Sequence, residues 1–504
     1  MRRIRRRVGL AVDVASAFNV VGLLITYLSP TALFPAAIAV GYGETFWPFL
    51  AAGAIAAAVG LALTRITRGA RPIGMREGYL VVSVTWLSVA AFGALPYVFS
   101  GGELGDPLDA YFEAMSGFTT TGASVVTDYD ALSKSVGMWR QFTQWLGGMG
   151  IIVLALAVLP RLRVGGRQLM EAEFPGPETS AFGERIRSTA RRLWLLYIGL
   201  TAAEALALAA LGWTGLDQRM TPYDAVAHAF TTMPTGGFST QPESIGSFSA
   251  ATQWIIVVFM ILAGANFALM YRGLVRRQPR AFVWDEELRL YLGLITVATV
   301  GLSLQVWGYG IVEGEGAIRA SVFQVVSIMT STGYASTDYA LWPSLSLLTI
   351  FALMFIGGSA GSTGGGIKVV RHLLTGRIIR RELSQTVSPE LVAPIRLNGA
   401  PIDERTVRAI AAFVLLYVGA WVVGSAVIAI DSAILGVQLG PLDSIAASAT
   451  AIGNIGPGFG ITGPLGSYAP LGELSKVTMI ALMWLGRLEI IPVAILLTRH
   501  YWRM

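Results

Sequence analysis

The sequence predicts an all-α membrane protein: an N-terminal two-helix hairpin, then four repeats that each hold a helix, a half-length helix with a glycine-bearing loop, and a second helix. Three observations carry this. Of 504 residues, 54% are hydrophobic and 13% charged, with a mean hydropathy of +0.61; a soluble domain carries about one-quarter charged residues. Long apolar runs recur along the chain, and about 20 apolar residues cross the hydrocarbon core as a helix. Between these runs lie four segments that resemble one another.

Composition narrows the function classes. There is no cysteine, which excludes disulfides and thiolate metal sites. The three histidines, His228, His372 and His500, are too scattered to suggest a shared metal. The net charge of +6 reads as an excess of Lys and Arg in cytoplasmic loops, so membrane lipid is the expected surrounding and nucleic acid is not an expected partner.

The N-terminus, MRRIRRR, precedes an apolar run from Val8 to Leu28. A signal peptide shares that pattern, but this run is long and a second one, Phe46 to Leu63, follows at once. Arg65, Arg68, Arg71 and Arg76 close it. Basic clusters at both flanks put both ends in the cytoplasm and make the pair a hairpin. Helices then run outward from about Tyr79, Trp194, Leu288 and Val407, and inward from about Met138, Gln253, Leu345 and Val477. The inward helices end in basic residues: Arg161 and Arg163; Arg272, Arg276 and Arg277; Lys368 and Arg371; Arg499 and Arg503. The outer segments are acidic, with Asp106, Glu113, Asp128 and Glu243 among others, which raises the local cation concentration modestly. Ten helices with both termini cytoplasmic satisfy every flank.

The outer segments read PLDAYFEAMSGFTTTGAS from Pro107, PYDAVAHAFTTMPTGGFS from Pro222, IRASVFQVVSIMTSTGYAS from Ile318 and PLDSIAASATAIGNIGPGFG from Pro441. Such self-similarity defines the architecture. Three begin Pro-x-Asp, at Asp109, Asp224 and Asp443; proline suits a first helical turn, and aspartate accepts from free amides there while complementing the dipole. Roughly 12 apolar residues follow, about 18 Å of helix and half a bilayer. Each half-helix then meets a glycine: Gly122, Gly236, Gly333 or Gly456. The chain accordingly divides into a hairpin at 1–72 and repeats at 73–168, 169–282, 283–385 and 386–504. These form helix–pore-loop–helix units around a pseudo-fourfold pore.

A half-helix pointing inward directs its negative C-terminal end at the membrane centre, which stabilises a cation there. The chain must return as irregular backbone, tolerated at that depth only around a watery cavity. Glycine permits positive φ, so successive carbonyls turn toward one axis and replace the hydration shell of a large monovalent cation. No acidic side-chain ring accompanies the glycines, which argues against a calcium filter. One such segment alone would read as a re-entrant packing loop; four in register read as a pore.

These residues resemble the potassium-uptake superfamily of Trk, Ktr and plant HKT transporters, and within it the membrane subunit of the bacterial Trk system. FTTTGAS, PTGGFST, STGYAST and GNIGPG are similar to the filter loops of that family, FIGGSAGSTGGGIKVVR from Phe355 to its gating loop, and MWLGRLEIIP from Met483 to its last inner helix. The N-terminal hairpin favours the Trk branch over Ktr. The resemblance implies coordination of K+ alone, as the transported ion, by carbonyls of Thr120 and Thr121, Pro234 and Thr235, Ser331 and Thr332, and Asn454 and Ile455, before Gly122, Gly236, Gly333 and Gly456. Glycine at 122, where sodium-favouring plant relatives often carry serine, favours potassium. Ile455 stands where the other loops have threonine, which departs from equal coordination by four repeats. The resemblance also implies a homodimer with one pore per protomer, a bacterial cytoplasmic (inner) membrane location, and a cytosolic nucleotide-binding regulatory subunit of the TrkA type with RCK domains. No nucleotide site or other cofactor is evident in this chain.

Helix breakers recur in the inward helices, at Gly147 and Gly148, Gly264, Gly357 and Gly358, and Gly486. The third is extreme: GGSAGSTGGG carries Gly357, Gly358, Gly361, Gly364, Gly365 and Gly366 ahead of Lys368, and each helical glycine costs about 1 kcal/mol. A phosphate-binding loop would need Gly-Lys-Ser/Thr where this chain has Ile367-Lys368, and small-residue helix packing is a further reading. The resemblance favours a mobile gate under the filter. Arg487, among Met483, Trp484, Leu485 and Leu488, is costly in lipid and so faces a cavity or pairs with another helix; the resemblance makes it an electrostatic barrier in the pore. Glu204 and Asn266 read as packing or cavity residues.

Two other functions fit the composition. A proton- or sodium-coupled symporter would place its site at broken helices, usually within inverted repeats, whereas all four repeats here share one orientation. A membrane enzyme would need a Ser-His, HExxH or paired-acid constellation at membrane depth, and none is present. The sequence therefore points to a non-enzymatic, channel-like potassium pathway.

Overall fold

The computed structural model describes residues 12–69, 74–157, 181–440 and 442–503. The MRRIRRR segment, the start of the first apolar run, Arg71, Arg161, Arg163, most of the Arg161–Arg192 loop and Pro441 lie outside the described residues. The first span is Val14–Tyr42, interrupted by a tight turn at Ser29–Ala32, and Trp47–Ile66 returns beside it. The Asp13 amide donates to Glu77 at 2.9 Å, and the Tyr501 hydroxyl to the Arg76 carbonyl at 2.7 Å. Both ends of the described chain thus meet the start of the helix Met75–Ser100, on one face of the bundle.

Four leading helices follow the expected order: Met75–Ser100, Ala181–Trp213, Glu286–Gly308 and Glu404–Leu435. Four half-helices succeed them, at Pro107–Phe118, Pro222–Thr232, Glu315–Met329 and Asp443–Gly453. The third begins earlier than Ile318, because Gly314, at φ +58°, lets the chain turn before Glu315. Its fellows are capped in different ways. Asp106, not Asp109, accepts from the amides of Leu108 and Asp109, while Asp109 pairs with Lys476 at 2.6 Å. Thr221 and Asp224 form a reciprocal capping box, and Asp443 accepts from the Gly440 amide at 2.7 Å.

The second helices are unlike one another. Six helices are long and apolar enough to cross a membrane among the described residues: the hairpin pair and the leading helices. The first second-helix, Lys134–Ala157, is continuous through Gly147 and Gly148, so no break occurs there. Those glycines serve close packing instead: a Cβ on Gly147 would lie 1.9 Å from the Phe118 carbonyl oxygen. The second, Ala250–Gly264, stops at Gly264 and the chain bends by 103° into Phe267–Val275. Asn266 caps the new segment by accepting from the Ala268 and Leu269 amides. The third, Ser344–Leu353, gives way to irregular backbone until Val369–Val387 begins. The fourth, Glu473–Arg487, is followed by Ile491–Leu496.

Two apolar cores divide the bundle. One joins the hairpin to the first and fourth repeats through Phe49, Phe112, Phe413 and Met483. The other joins the second and third repeats through Tyr197, Met260, Phe323 and Met329. The long apolar faces left outside them, on a chain with these spans, make the protein a multi-pass membrane protein.

Candidate functional site

The C-terminal ends of the four half-helices converge, and the loops that leave them share one backbone conformation. Thr120, Thr235, Ser331 and Asn454 all take positive φ, from +52° to +59°. The next residues, Thr121, Gly236, Thr332 and Ile455, each donate an amide to the carbonyl five residues back: Ser116, Thr231, Ser327 and Thr450. Then come Gly122, Gly237, Gly333 and Gly456, at φ +80° to +103°.

This fixes the register and corrects it in the second loop. Gly237, not Gly236, occupies the place of Gly122, Gly333 and Gly456, and Gly236 aligns with Thr121; Pro234 precedes the shared stretch. Ser124 and Ser239 each stand two residues beyond the shared glycine, a signal already present in the sequence; in the third loop Ala335 holds that place and Ser336 follows it.

The loops also close on one another in order. A Cβ built on Gly122 would fall 2.1 Å from the Gly236 carbonyl oxygen, on Gly237 1.9 Å from that of Thr332, on Gly333 1.8 Å from that of Ile455, and on Gly456 2.7 Å from that of Thr121. Real Cβ atoms do not approach so near. Glycine is therefore required twice over, by positive φ and by the neighbouring backbone, and the four repeats form a closed cycle.

Buried side chains hold the loops from behind. Glu113 accepts from the Ser124 hydroxyl at 2.9 Å and the Val125 amide at 3.0 Å, and pairs with fully buried Arg140 at 2.7 Å. Gln144 donates to the Gly236 carbonyl at 2.7 Å and accepts from the Phe238 amide at 3.1 Å. The Asn454 amide group donates to the Thr121 hydroxyl at 3.0 Å and the Met483 carbonyl at 2.9 Å, tying the fourth loop to the first. Arg140 and Gln144 were not singled out from sequence; their spacing of four on one helix, with Glu113 alone in a half-helix interior, was the available signal.

The irregular stretch 354–368 runs directly against these loops. The Gly365 amide donates to the Ser331 hydroxyl at 2.5 Å, and a Cβ on Gly365 would lie 2.3 Å from the Gly453 carbonyl. The Thr363 hydroxyl donates to the carbonyls of Met233 and Ala263, and the Ser359 amide to that of Gly264. Gly357 closes the base of the stretch by donating to the Ile367 carbonyl, and a Cβ on Gly358 would sit 2.9 Å from the Gly264 carbonyl oxygen. Gly361 and Gly366 take positive φ. Lys368 donates to the Gly364 carbonyl. Glu287 accepts from the amides of both Ala360 and Val370, clasping the stretch to the start of the helix that follows it.

Arg487 lies buried beneath, donating to the carbonyls of Thr363 at 2.9 Å and Gly147 at 3.2 Å. No carboxylate among the described residues pairs with it; Glu489 pairs with Arg371 instead. Glu204 is fully buried on the second leading helix, and Asn266 is the cap described above.

Comparison with known proteins agrees with this architecture. A family profile described as cation transport protein, TrkH, matches residues 48–502. The chain is 36% identical over 490 residues to the Trk system potassium uptake protein TrkH of Salmonella typhimurium, covering 96% of this chain and 98% of that one. It is 35% identical over 501 residues to TrkH of Vibrio parahaemolyticus, covering 97% and 99%. The crystal structure of the potassium transporter TrkH from Vibrio parahaemolyticus superposes with a TM-score of 0.86 at 33% identity, covering 98% of this chain and all of that one. The chain belongs to the TrkH family of cation transport proteins.

Proposed function

We propose that the protein mediates potassium uptake through a single pore at the centre of the four loops. The observation that carries this reading is the cyclic contact of Gly122, Gly237, Gly333 and Gly456 with the carbonyls of the next repeat. Four equivalent turns around one axis supply the carbonyl ring that a dehydrated monovalent cation requires, and four half-helix C-termini add their negative ends. Carbonyls of Thr120 and Thr121, Thr235 and Gly236, Ser331 and Thr332, and Asn454 and Ile455 would bind the ion. The names of the relatives, which are Trk-system potassium uptake proteins, support K+ as the substrate.

The stretch 354–368 acts as the gate in this reading. Its hydrogen bonds to Ser331, Met233 and Gly264 support a closed arrangement under the filter. The half-helices start on the outer face, and the described termini lie on the cytoplasmic face, where a nucleotide-binding Trk subunit docks; a second copy of the chain beside the first in the membrane completes a homodimer.

The test is flux into liposomes holding the purified protein. Potassium uptake should exceed sodium uptake, and choline should not enter. Deleting Gly361–Gly366 should raise the flux. Well-folded protein that passes no potassium, with or without a regulatory subunit, would overturn the pore assignment; unchanged or lower flux after the deletion would overturn the gate.

A further inference from the structure

Glu113, His228 and Gln324 stand at one equivalent position, four residues after Asp109, Asp224 and Ala320 of their half-helices, and all three are fully buried. Each reaches a serine just beyond its loop glycine: Ser124 and Ser239 stand two residues past it, and Ser336 three, because Ala335 holds the equivalent place in the third loop. Glu113 accepts from Ser124 at 2.9 Å. The His228 Nδ1 lies 2.8 Å from the Asp224 carbonyl, which can only accept, so Nδ1 carries the proton and Nε2 of the neutral ring accepts from the Ser239 hydroxyl at 3.1 Å. The Gln324 amide group donates to Ser336 at 3.4 Å. Three chemically different side chains at one position each tie to a serine just past the loop glycine, the third serine lying one residue further on, and packing alone does not demand this.

The fourth repeat lacks it. Ala447 holds the half-helix position, and Gly458 and Phe459 stand two and three residues past Gly456, so neither partner has a polar side chain. That loop is gripped from the other side: the Tyr468 hydroxyl donates to the Gly456 carbonyl at 2.6 Å.

We propose that Glu113, His228 and Gln324 are positioning residues that set ion discrimination, by fixing three of the four loops through Ser124, Ser239 and Ser336. The proposal rests on the filter reading above. A carbonyl ring distinguishes monovalent ions by the number and placement of its dipoles, and irregular backbone has few ladder bonds of its own to hold that placement. The fourth loop, held through Tyr468, is the differently mounted member of the ring.

The experiment measures the potassium-to-sodium flux ratio in liposomes for Gln324→Leu, Gln324→His, Ser336→Ala and the double variant Gln324→Leu/Ser336→Ala, with His228→Leu, His228→Gln and Ser239→Ala as the parallel set. Loss of either partner should lower the ratio about fivefold, the effect of one buried hydrogen bond. The double variant should be no worse than the single ones, since the two residues act as a pair. Gln324→His and His228→Gln, which exchange the natural side chains, should restore most of the ratio. An unchanged ratio in the leucine and alanine variants, or additive losses in the double variant, would overturn the proposal. Gly333→Ala serves as the control for the filter itself. If it leaves the ratio at the wild-type value, the filter reading fails; if it collapses the ratio while the pair variants do not, only the positioning role fails.

Discussion

The guanidinium of Arg487 donates to the Thr363 carbonyl at 2.9 Å and, with its other nitrogen, to the Gly147 carbonyl at 3.2 Å. A cation beneath the loops thus also fastens the irregular stretch of the third repeat to the first. Arg487→Ala should alter conductance or open probability while leaving the potassium-to-sodium ratio near wild type. The Thr363 carbonyl left without this donor costs about 1–3 kcal/mol, so melting should be lowered as well. Single-channel or liposome flux recordings check the first outcome; a collapsed ratio with intact melting would place Arg487 in the filter instead.

Glu287 ties that same stretch, at the Ala360 amide, to the start of the following helix, at the Val370 amide. Glu287→Ala removes the single oxygen that accepts from both amides and should raise basal rubidium uptake severalfold without a regulatory partner, as a buried amide loses about 1–3 kcal/mol when unpaired. Folded protein with wild-type flux would show that the clasp has no part in closing.

The second loop offers a test of register. Gly237→Ala would place a Cβ 1.9 Å from the Thr332 carbonyl at φ +80°, where an L side chain costs about 1–2 kcal/mol even without a collision. Potassium flux or selectivity should be lost. Gly236→Ala meets the side chain of Gln144 instead and, paired with Gln144→Ala, should retain more flux than Gly237→Ala. The reverse order in a flux assay would restore Gly236 to the place of Gly122.

Removing one member of the buried pair Arg140–Glu113 leaves a charge stranded. Arg140→Met should destabilise by about 3–5 kcal/mol, and the double variant Glu113→Gln/Arg140→Met should recover part of the loss. Thermal melting in detergent measures both.

Outside the spans, Asp217 links the turn after Trp213 to the second helix of its repeat. Partial burial pushes its carboxyl up, but the Thr252 hydroxyl at 2.6 Å and the Ser249 amide at 2.7 Å more than offset this and leave it below the usual aspartate range. A depressed folded value stabilises the protein above the unfolded pKa of about 3.9, and the contribution is lost as pH falls through the folded value. Melting temperature should therefore drop below about pH 4, whereas Asp217→Asn should be less stable at pH 6 and flatter toward acid.

Much of the fold was legible because each repeat carries local signals that agree: an apolar run, a proline or acidic helix start, a glycine after the half-helix. The second loop misled because Gly236 and Gly237 are adjacent, and only backbone dihedrals and the amide bond to Thr231 separate them. Gly147 and Gly148 misled for another reason. A glycine that breaks a helix and one that admits a neighbour's carbonyl look alike in sequence, and here Phe118 supplies the carbonyl. Arg140 was hidden because its partner, Glu113, lies 27 residues away on another helix.

The closed cycle of glycines comes from four different stretches of one polypeptide. In a ring of identical subunits any substitution arrives in every quadrant at once. Here it arrives in one, so Ile455 can differ from Thr121, and Ala447 from Glu113, without a matching change elsewhere. Inheritance can therefore adjust the ring in quarter steps, testing an altered loop while three intact ones hold the centre.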